Sequence, residues 1–342
     1  MLKKNSIRVD NPELQDNCWP PVATYKIDNI SHTYITTELA LKDYISENDS
    51  YEVQGEKINV ALSNIYAYLY NYKDSPIYNK TDSFLETNFF KKKVELEDYF
   101  LRNWLDVSLS SEFKDQESLA IYFEDDSTGN EGMNHYFFDY VAEDMSREAM
   151  IHFLKTEICR NEYVDDEVSL LVFGLQGQMK KVAASNLWDE CGCGVLKNFH
   201  TYWLRQLIRD LSSYDEFLAW RSTKPWFFSL TSNIFNALLT KPSLKFAAYG
   251  CFTTTEQWVE CHFEKIIRGM KRVGITSNDS LIYFDKHKTI DPHHTYELIE
   301  AIRNQVPHLT ADEVKRIHYG AKLAIKTAVE AYDRMYEYYK GL

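Results

Sequence analysis

Cysteine, proline and glycine are all scarce in this sequence, with 6, 8 and 12 occurrences in 342 residues. Six scattered cysteines are too few for a disulfide-stabilised scaffold, and the pair Cys191 and Cys193 has no second pair with which to form a structural zinc site. The low glycine and proline contents exclude collagen-like and disordered low-complexity chains. What remains is an ordinary globular composition, and the length allows about two domains, or one large domain with an extension.

Positive charge and long apolar runs are also in short supply. Lys and Arg number 38 against 51 Asp and Glu, which gives a net charge of −13. A negative protein repels phosphate backbones and anionic lipids, so nucleic acid and membrane surfaces are not expected partners. The apolar runs are far shorter than the ~20 residues of a membrane helix, and the N-terminus lacks the apolar segment of a signal peptide. We therefore predict a soluble, cytoplasmic protein.

Helical periodicity dominates from about residue 31 onward. Apolar residues recur at three- and four-residue spacing, for example over residues 56–72, whereas alternating β-branched runs with Asn-Gly or Asp-Gly turns are absent from the sequence. Thr310-Ala-Asp-Glu313 is a capping-box pattern, which predicts that a last helix starts here and runs to about residue 340. We predict an all-α fold, with an irregular segment over residues 1–30 and a polar connector over 73–83.

One segment near the C-terminus carries three residues of metal-ligand type. His287, Asp291 and His294 stand at i, i+4 and i+7. On an ideal helix they lie within about 60° of one another and span ~10 Å of the axis. Two imidazoles and a carboxylate on one stripe suit non-haem iron or a related metal. The alternative is the polar face of a surface helix.

Pro292 leaves a second interpretation of this segment open. An Asp-Pro pair is a good cap and first turn, so Asp291 could cap a helix over residues 292–304 instead of binding metal. In a milder interpretation, residues 281–294 are strained and become ordered when metal binds. His293 competes with His294 as a ligand, but His294 is favoured because only i+7 falls on the stripe.

A second candidate pair is Glu190 and His200, ten residues apart. On a straight helix they would be ~15 Å apart and about 80° out of phase, so they could not share a metal ion. Gly192 and Gly194 lie between them and can break the helix, which would fold His200 back towards Glu190. Without a break, the glycines merely allow close helix packing and Glu190 is a solvated or capping carboxylate.

A third carboxylate is expected upstream. Glu157 borders an apolar face formed with Leu154 and Ile158, and Glu162 is the alternative. Either residue, taken alone, is more typical of a solvent-facing helix position.

Taken together, these residues resemble the haem-oxygenase-like diiron oxidase and oxygenase superfamily. That family has a helical Glu, a stretch Asn-x-x-Asp-Glu-x-Gly-x-Gly with a His ten residues after the Glu, and a terminal His-x-x-x-Asp-x-x-His preceded by Tyr-Phe. The resemblance covers roughly residues 95–340. The residues that match the two later motifs are Asn186, Asp189, Glu190, Gly192, Gly194 and His200, and Tyr283, Phe284, His287, Asp291 and His294.

The resemblance implies a haem-oxygenase-like helical bundle without haem over residues 96–342. Residues 1–95 have no place in the family pattern, and we interpret them as an N-terminal helical extension. It also implies a site for two Fe(II) ions, with O2 as cosubstrate. The ligands implied by the resemblance are Glu157, Glu190, His200, His287, Asp291 and His294.

The function implied is that of a non-haem diiron oxygenase or oxidase of specialised metabolism. Such an enzyme oxidises a small amino-acid-like or amine substrate by N-oxygenation, oxidative C–C cleavage or desaturation. An external reductant and a homodimer are compatible with this interpretation. Two alternatives stay open: a mononuclear Fe or Mn enzyme that uses the His-x3-Asp-x2-His stripe, and a non-catalytic helical interaction protein. A haem oxygenase is disfavoured because residues 95–110 offer no proximal His.

Overall fold

A computed structural model describes residues 29–70, 82–126 and 130–342. These residues form helices, turns and loops, and no β-strand occurs among them, so the predicted all-α fold is confirmed. Most of the segment 1–30, most of the connector 73–83 and Cys18 lie outside the described residues. Among the helices that are described, none is both long and apolar enough to cross a bilayer.

The helices of the described residues are labelled in chain order. A π-helical turn, Phe100–Trp104, continues α4, and short 3₁₀ turns join some of the others. The ranges are α1 Asn29–Thr36, α2 Leu41–Tyr44, α3 Tyr51–Leu69, α4 Ser83–Tyr99, α5 Gln116–Asp126, α6 Tyr136–Glu143, α7 Arg147–Asn161, α8 Val164–Val172, α9 Gly177–Glu190, α10 His200–Leu211, α11 Tyr214–Thr223, α12 Leu230–Leu239, α13 Lys245–Arg272, α14 Asn278–Arg303 and α15 Ala311–Lys340.

Helix α13 is the centre of the bundle and packs against α6, α14 and α15. Two glycines bring α13 and α15 unusually close together. A Cβ atom added at Gly250 would lie 1.9 Å from the backbone oxygen of Ile317, and one added at Gly320 would lie 1.8 Å from that of Ala247. Each helix therefore presents a glycine to the backbone of the other, and any side chain at either position would push the pair apart.

The last helix begins where its capping box predicts. The Thr310 hydroxyl accepts a hydrogen bond from the Glu313 amide at 3.3 Å, and the Glu313 carboxylate accepts one from the Thr310 amide at 2.7 Å. Both orphan donors of the first turn are thus satisfied, and α15 runs from Ala311 to Lys340.

The N-terminal helices share the hydrophobic core of the rest of the protein. Buried side chains from α3 and α4, such as Leu62 and Leu96, belong to the same contiguous cluster as Leu238 of α12. The predicted boundary between residues 95 and 96 falls inside α4. A separate N-terminal extension remains a prediction.

Candidate metal centre

The predicted helix break between Glu190 and His200 is present. Helix α9 ends at Glu190, and Gly192, Cys193 and Gly194 follow with φ of 55°, 52° and 80°. A Cβ atom added at Gly192 would lie 2.4 Å from the carbonyl carbon of Asn198, so this tight turn requires glycine. Because α10 then starts at His200, its Nδ1 lies 2.8 Å from Glu190 Oε2.

The predicted stripe on α14 is also present, but the helix around it starts earlier than the sequence suggested. Helix α14 runs without interruption from Asn278 to Arg303, and the Ser277 hydroxyl caps it by accepting from the Ser280 amide at 3.0 Å. The alternative in which Asp291 caps a helix over 292–304 is therefore wrong. Proline locally favours a helix start, but here the packing of α14 against its neighbours keeps the helix continuous through Pro292. Pro292 is exposed, so the backbone carbonyl that it leaves without a donor is on the solvent side.

Glu190, His200 and His287 form the first group of converging ligand atoms. All three are buried, and one atom from each lies within 4.8 Å of the others. The rings of His200 and His287 are 4.3 Å apart. His287 Nδ1 donates to the Tyr283 carbonyl at 2.6 Å, which fixes the tautomer and leaves Nε2 as the available lone pair.

Glu256, Asp291 and His294 form the second group, and their atoms meet the same distance limit. His294 Nδ1 lies 3.6 Å from both carboxylates. Its other nitrogen, Nε2, lies 3.1 Å from Asp189 Oδ2, and a carboxylate in that place holds the ring and its tautomer. By contrast His293, the competing ligand in the sequence, has a side chain that is 69% exposed.

Several polar atoms of the two groups are buried without a hydrogen-bond partner. The short contact between Glu190 Oε2 and His200 Nδ1 is poorly aligned for a hydrogen bond, so both atoms are unsatisfied. Glu256 Oε2 and Asp291 Oδ1 are unsatisfied as well. Each such atom costs about 1–3 kcal/mol unless something binds it. Converging carboxylate oxygens and imidazole nitrogens are ligands for a divalent metal such as iron, so the residues present fit an iron site.

The electrostatics of the two groups also indicate that a cation binds there. Burial raises the pKa of Asp291, and the charges of Glu256 and Glu190 raise it further. Burial likewise raises the pKa of Glu256. Burial also opposes ionisation of Glu190, but the neighbouring His200, His287 and His294 hold its pKa below the usual range. Carboxylates that repel one another in a buried space are stabilised by cations. The charge of Glu190 also raises the pKa of Glu256 and Asp291, so the two groups are close enough to interact electrostatically.

The structure brings together five of the six predicted ligands and adds one that the sequence reasoning missed. Glu157 is in neither group, and its assignment as a ligand stays a prediction. Its alternative, Glu162, pairs with the buried Arg221. The added residue is Glu256 of α13. One sequence signal could have found it: Glu256 shares a helical stripe with Phe252 and Phe263, at i−4 and i+7, where a solvated Glu is not expected.

A comparison with known protein families decides the relationship of this chain. The sequence model of a family described as iron-containing redox enzymes matches residues 151–329, which is more than half of the chain. The chain belongs to this family of iron-containing redox enzymes. All residues of both ligand groups fall inside the matched stretch. No curated protein matches the chain.

Membership of the iron-containing redox enzymes establishes two of the expectations drawn from the sequence. The resemblance to the haem-oxygenase-like superfamily is confirmed, and with it an all-α fold of that type. The chain is an oxidoreductase that uses iron. The two groups of ligand-type residues described above are where the structure can hold that iron.

Proposed function

We propose that this protein is a non-haem diiron enzyme that uses O2 to oxidise a small amino-acid-like or amine substrate. One observation carries the proposal: α14 presents His287 to one ligand group and, one and two turns later, Asp291 and His294 to the other. Successive turns of a helix are ~5.4 Å apart, so the two groups are neighbours, and each can hold one metal ion.

The chain's own residues would hold and orient the two ions. Glu190, His200 and His287 are the ligands of one ion, and Glu256, Asp291 and His294 are those of the other. Three carboxylates offset most of the charge of two ferrous ions, and neutral imidazoles complete each set. Bound iron supplies electrons for the activation of O2. Five of these six residues are buried and Glu256 is partly buried, which would keep bulk water away from the reaction.

The reaction is N-oxygenation, oxidative C–C cleavage or desaturation of the substrate. An external reductant would supply the electrons that the substrate does not. We place this chemistry in specialised metabolism and in the cytoplasm, and a homodimer is compatible with it. These finer statements rest on the resemblance of the motifs.

Anaerobic titration with Fe(II), followed by metal analysis, tests the proposal. We expect an endpoint of about two irons per chain, since each group supplies three protein ligands. The double variant Glu256→Gln/Asp291→Asn removes both carboxylates of the second group, and we expect it to retain about one iron. His293→Ala is the matched control, because it removes an exposed imidazole beside His294.

Exposure of the loaded protein to O2 then separates the alternatives. A transient visible absorption change in the wild type, absent from Glu190→Gln, supports O2 chemistry at the centre. An endpoint of one iron in the wild type would favour the mononuclear enzyme. The absence of saturable iron binding would favour the non-catalytic interaction protein.

A further inference from the structure

A cavity of about 120 Å³ is lined by α13, the helix that carries Glu256, and by side chains of α7, α12 and α15. Val259 and Phe263 line it, and they stand three and seven residues after Glu256, on neighbouring positions of the same helix face. The Phe263 ring meets the His287 ring edge-on, with centroids 5.7 Å apart. None of the six ligand-type residues lines the cavity, but Phe263 in its wall contacts His287 of the first group directly.

Glu157 lies in this cavity. The residue is deep in the protein but keeps accessible surface, because it faces the cavity space. Its carboxylate makes no hydrogen bond and no ion pair within the part of the chain that the structure describes. Burial raises the pKa of Glu157 to about 7, with Arg160 opposing the rise. A buried carboxylate without a partner is costly, and a cationic ligand group would remove that cost.

Arg160 lines the same cavity one turn further along α7. Its Nη1 donates to Glu167 Oε2 at 3.0 Å, which anchors the guanidinium. A guanidinium has five N–H donors, and this bond uses one nitrogen, so donors remain for a second carboxylate. Glu157 and Arg160 form no ion pair with each other. A ligand can therefore lie between the carboxylate and the guanidinium.

The rest of the cavity lining carries no formal charge. Among the described residues that line it, Glu157 and Arg160 are the only acidic or basic side chains apart from His262. Burial lowers the pKa of His262 to about 3, so this imidazole is neutral. Aromatic and aliphatic side chains, such as Trp258 and Tyr332, form much of the remaining wall.

We propose that this cavity is the substrate site and that the substrate is a small zwitterionic amino acid with an uncharged side chain. Glu157 binds its ammonium group, Arg160 binds its carboxylate, and the aromatic wall contacts its side chain. The assignment as substrate rests on the function proposed above, whereas the binding itself does not require iron. Glu157 thereby has a role other than that of a metal ligand.

Calorimetric binding of L-alanine, L-valine, L-leucine, L-methionine and L-phenylalanine tests this proposal, on the protein with and without anaerobic Fe(II). We expect saturable binding of at least one. Two truncated ligands are compared with that amino acid: the primary amine without the carboxylate, and the acid without the amine. Each should bind at least about ten-fold more weakly, because the amine loses the charge-assisted hydrogen bonds to Arg160 and the acid loses those to Glu157. Binding of none of the five, or equal binding of the amine alone, would overturn the proposal.

Variants test whether Glu157 binds the ammonium group and Arg160 the carboxylate. Glu157→Gln should weaken binding of the amino acid at least about ten-fold while the iron endpoint is unchanged. Arg160→Lys should weaken the amino acid but not the amine. Glu148→Gln, at an exposed position of the same helix, is the matched control.

Loss of an iron in Glu157→Gln would show that Glu157 is a metal ligand and would overturn the proposal. Failure of the wild type to bind iron would reject the enzyme function, but the calorimetry would still decide the cavity.

Discussion

Asp189 is the residue that links the metal centre to the protein surface. One carboxylate oxygen lies 3.1 Å from His294 Nε2, and the other accepts from the exposed Cys193 thiol at 3.3 Å. A carboxylate in this position fixes the imidazole and makes it a stronger ligand. We predict that Asp189→Asn weakens Fe(II) binding about 10- to 100-fold.

Competition with a chelator under anaerobic conditions measures that affinity. Asp285→Asn, on the exposed side of α14, is the control and should bind Fe(II) like the wild type. An unchanged dissociation constant in Asp189→Asn would mean that the carboxylate does not position His294.

Single residues also show where sequence reasoning about the centre stops. His287, Asp291 and His294 could be grouped because one helix fixes their spacing, and the glycines after Glu190 indicated the turn that returns His200. Glu256 has no such local partner. Its neighbours in the centre come from α14, and that contact depends on how two long helices pack.

At the scale of helices, the close crossing of α13 and α15 should be the least tolerant contact of the bundle. We predict that Gly250→Ala lowers the free energy of unfolding by about 1–3 kcal/mol or more, because its Cβ would meet the Ile317 carbonyl oxygen at 1.9 Å. Gly320→Ala should do the same. Urea denaturation measures both.

Gly341→Ala is the control for this series. A Cβ atom there would have its nearest neighbour at 3.5 Å, an ordinary contact, so stability should hardly change. A loss as large as that of Gly250→Ala would show that the effect is not specific to the crossing.

Helix boundaries were predictable where the capping chemistry is local. The capping box of Thr310 and Glu313 predicted the start of α15. The start of α14 could not be read in the same way, because Asp291 and Pro292 form a plausible local start inside a longer helix. Buried side chains on both sides of Pro292, such as Phe284 and Leu298, hold that helix against its neighbours, and this packing depends on residues distant in sequence.

At the scale of the whole molecule, buried neutral histidines should make the protein sensitive to acid. Burial lowers the pKa of His262 to about 3 and that of His318 to about 4. An unfolded histidine titrates near 6.5, so below that pH the unfolded chain binds more protons than the folded one. Stability present at pH 7 is therefore lost as the pH falls from about 6.5 towards 4.

We predict that His262→Gln makes this loss shallower, by up to about 1 kcal/mol per pH unit. The glutamine amide can keep the donor that His262 Nε2 offers to the carbonyls of Gly132 and Met133. Urea unfolding of the metal-free protein between pH 7.5 and 4.5 gives the slope. His293→Gln, at an exposed position, should keep the wild-type slope, and equal slopes in all three proteins would contradict the prediction.

Because its residues follow the break after α9 and end with the stripe on α14, the centre can form only late during synthesis of the chain. Its residues come from three parts of the chain: residues 190–200, Glu256, and residues 287–294. Among the described residues, Glu190 is the first member of either group. Chains emerge from the ribosome N-terminus first. Helices α1 to α8 can therefore begin to pack before any part of the centre exists, and the second ligand group is not complete until His294 has been added.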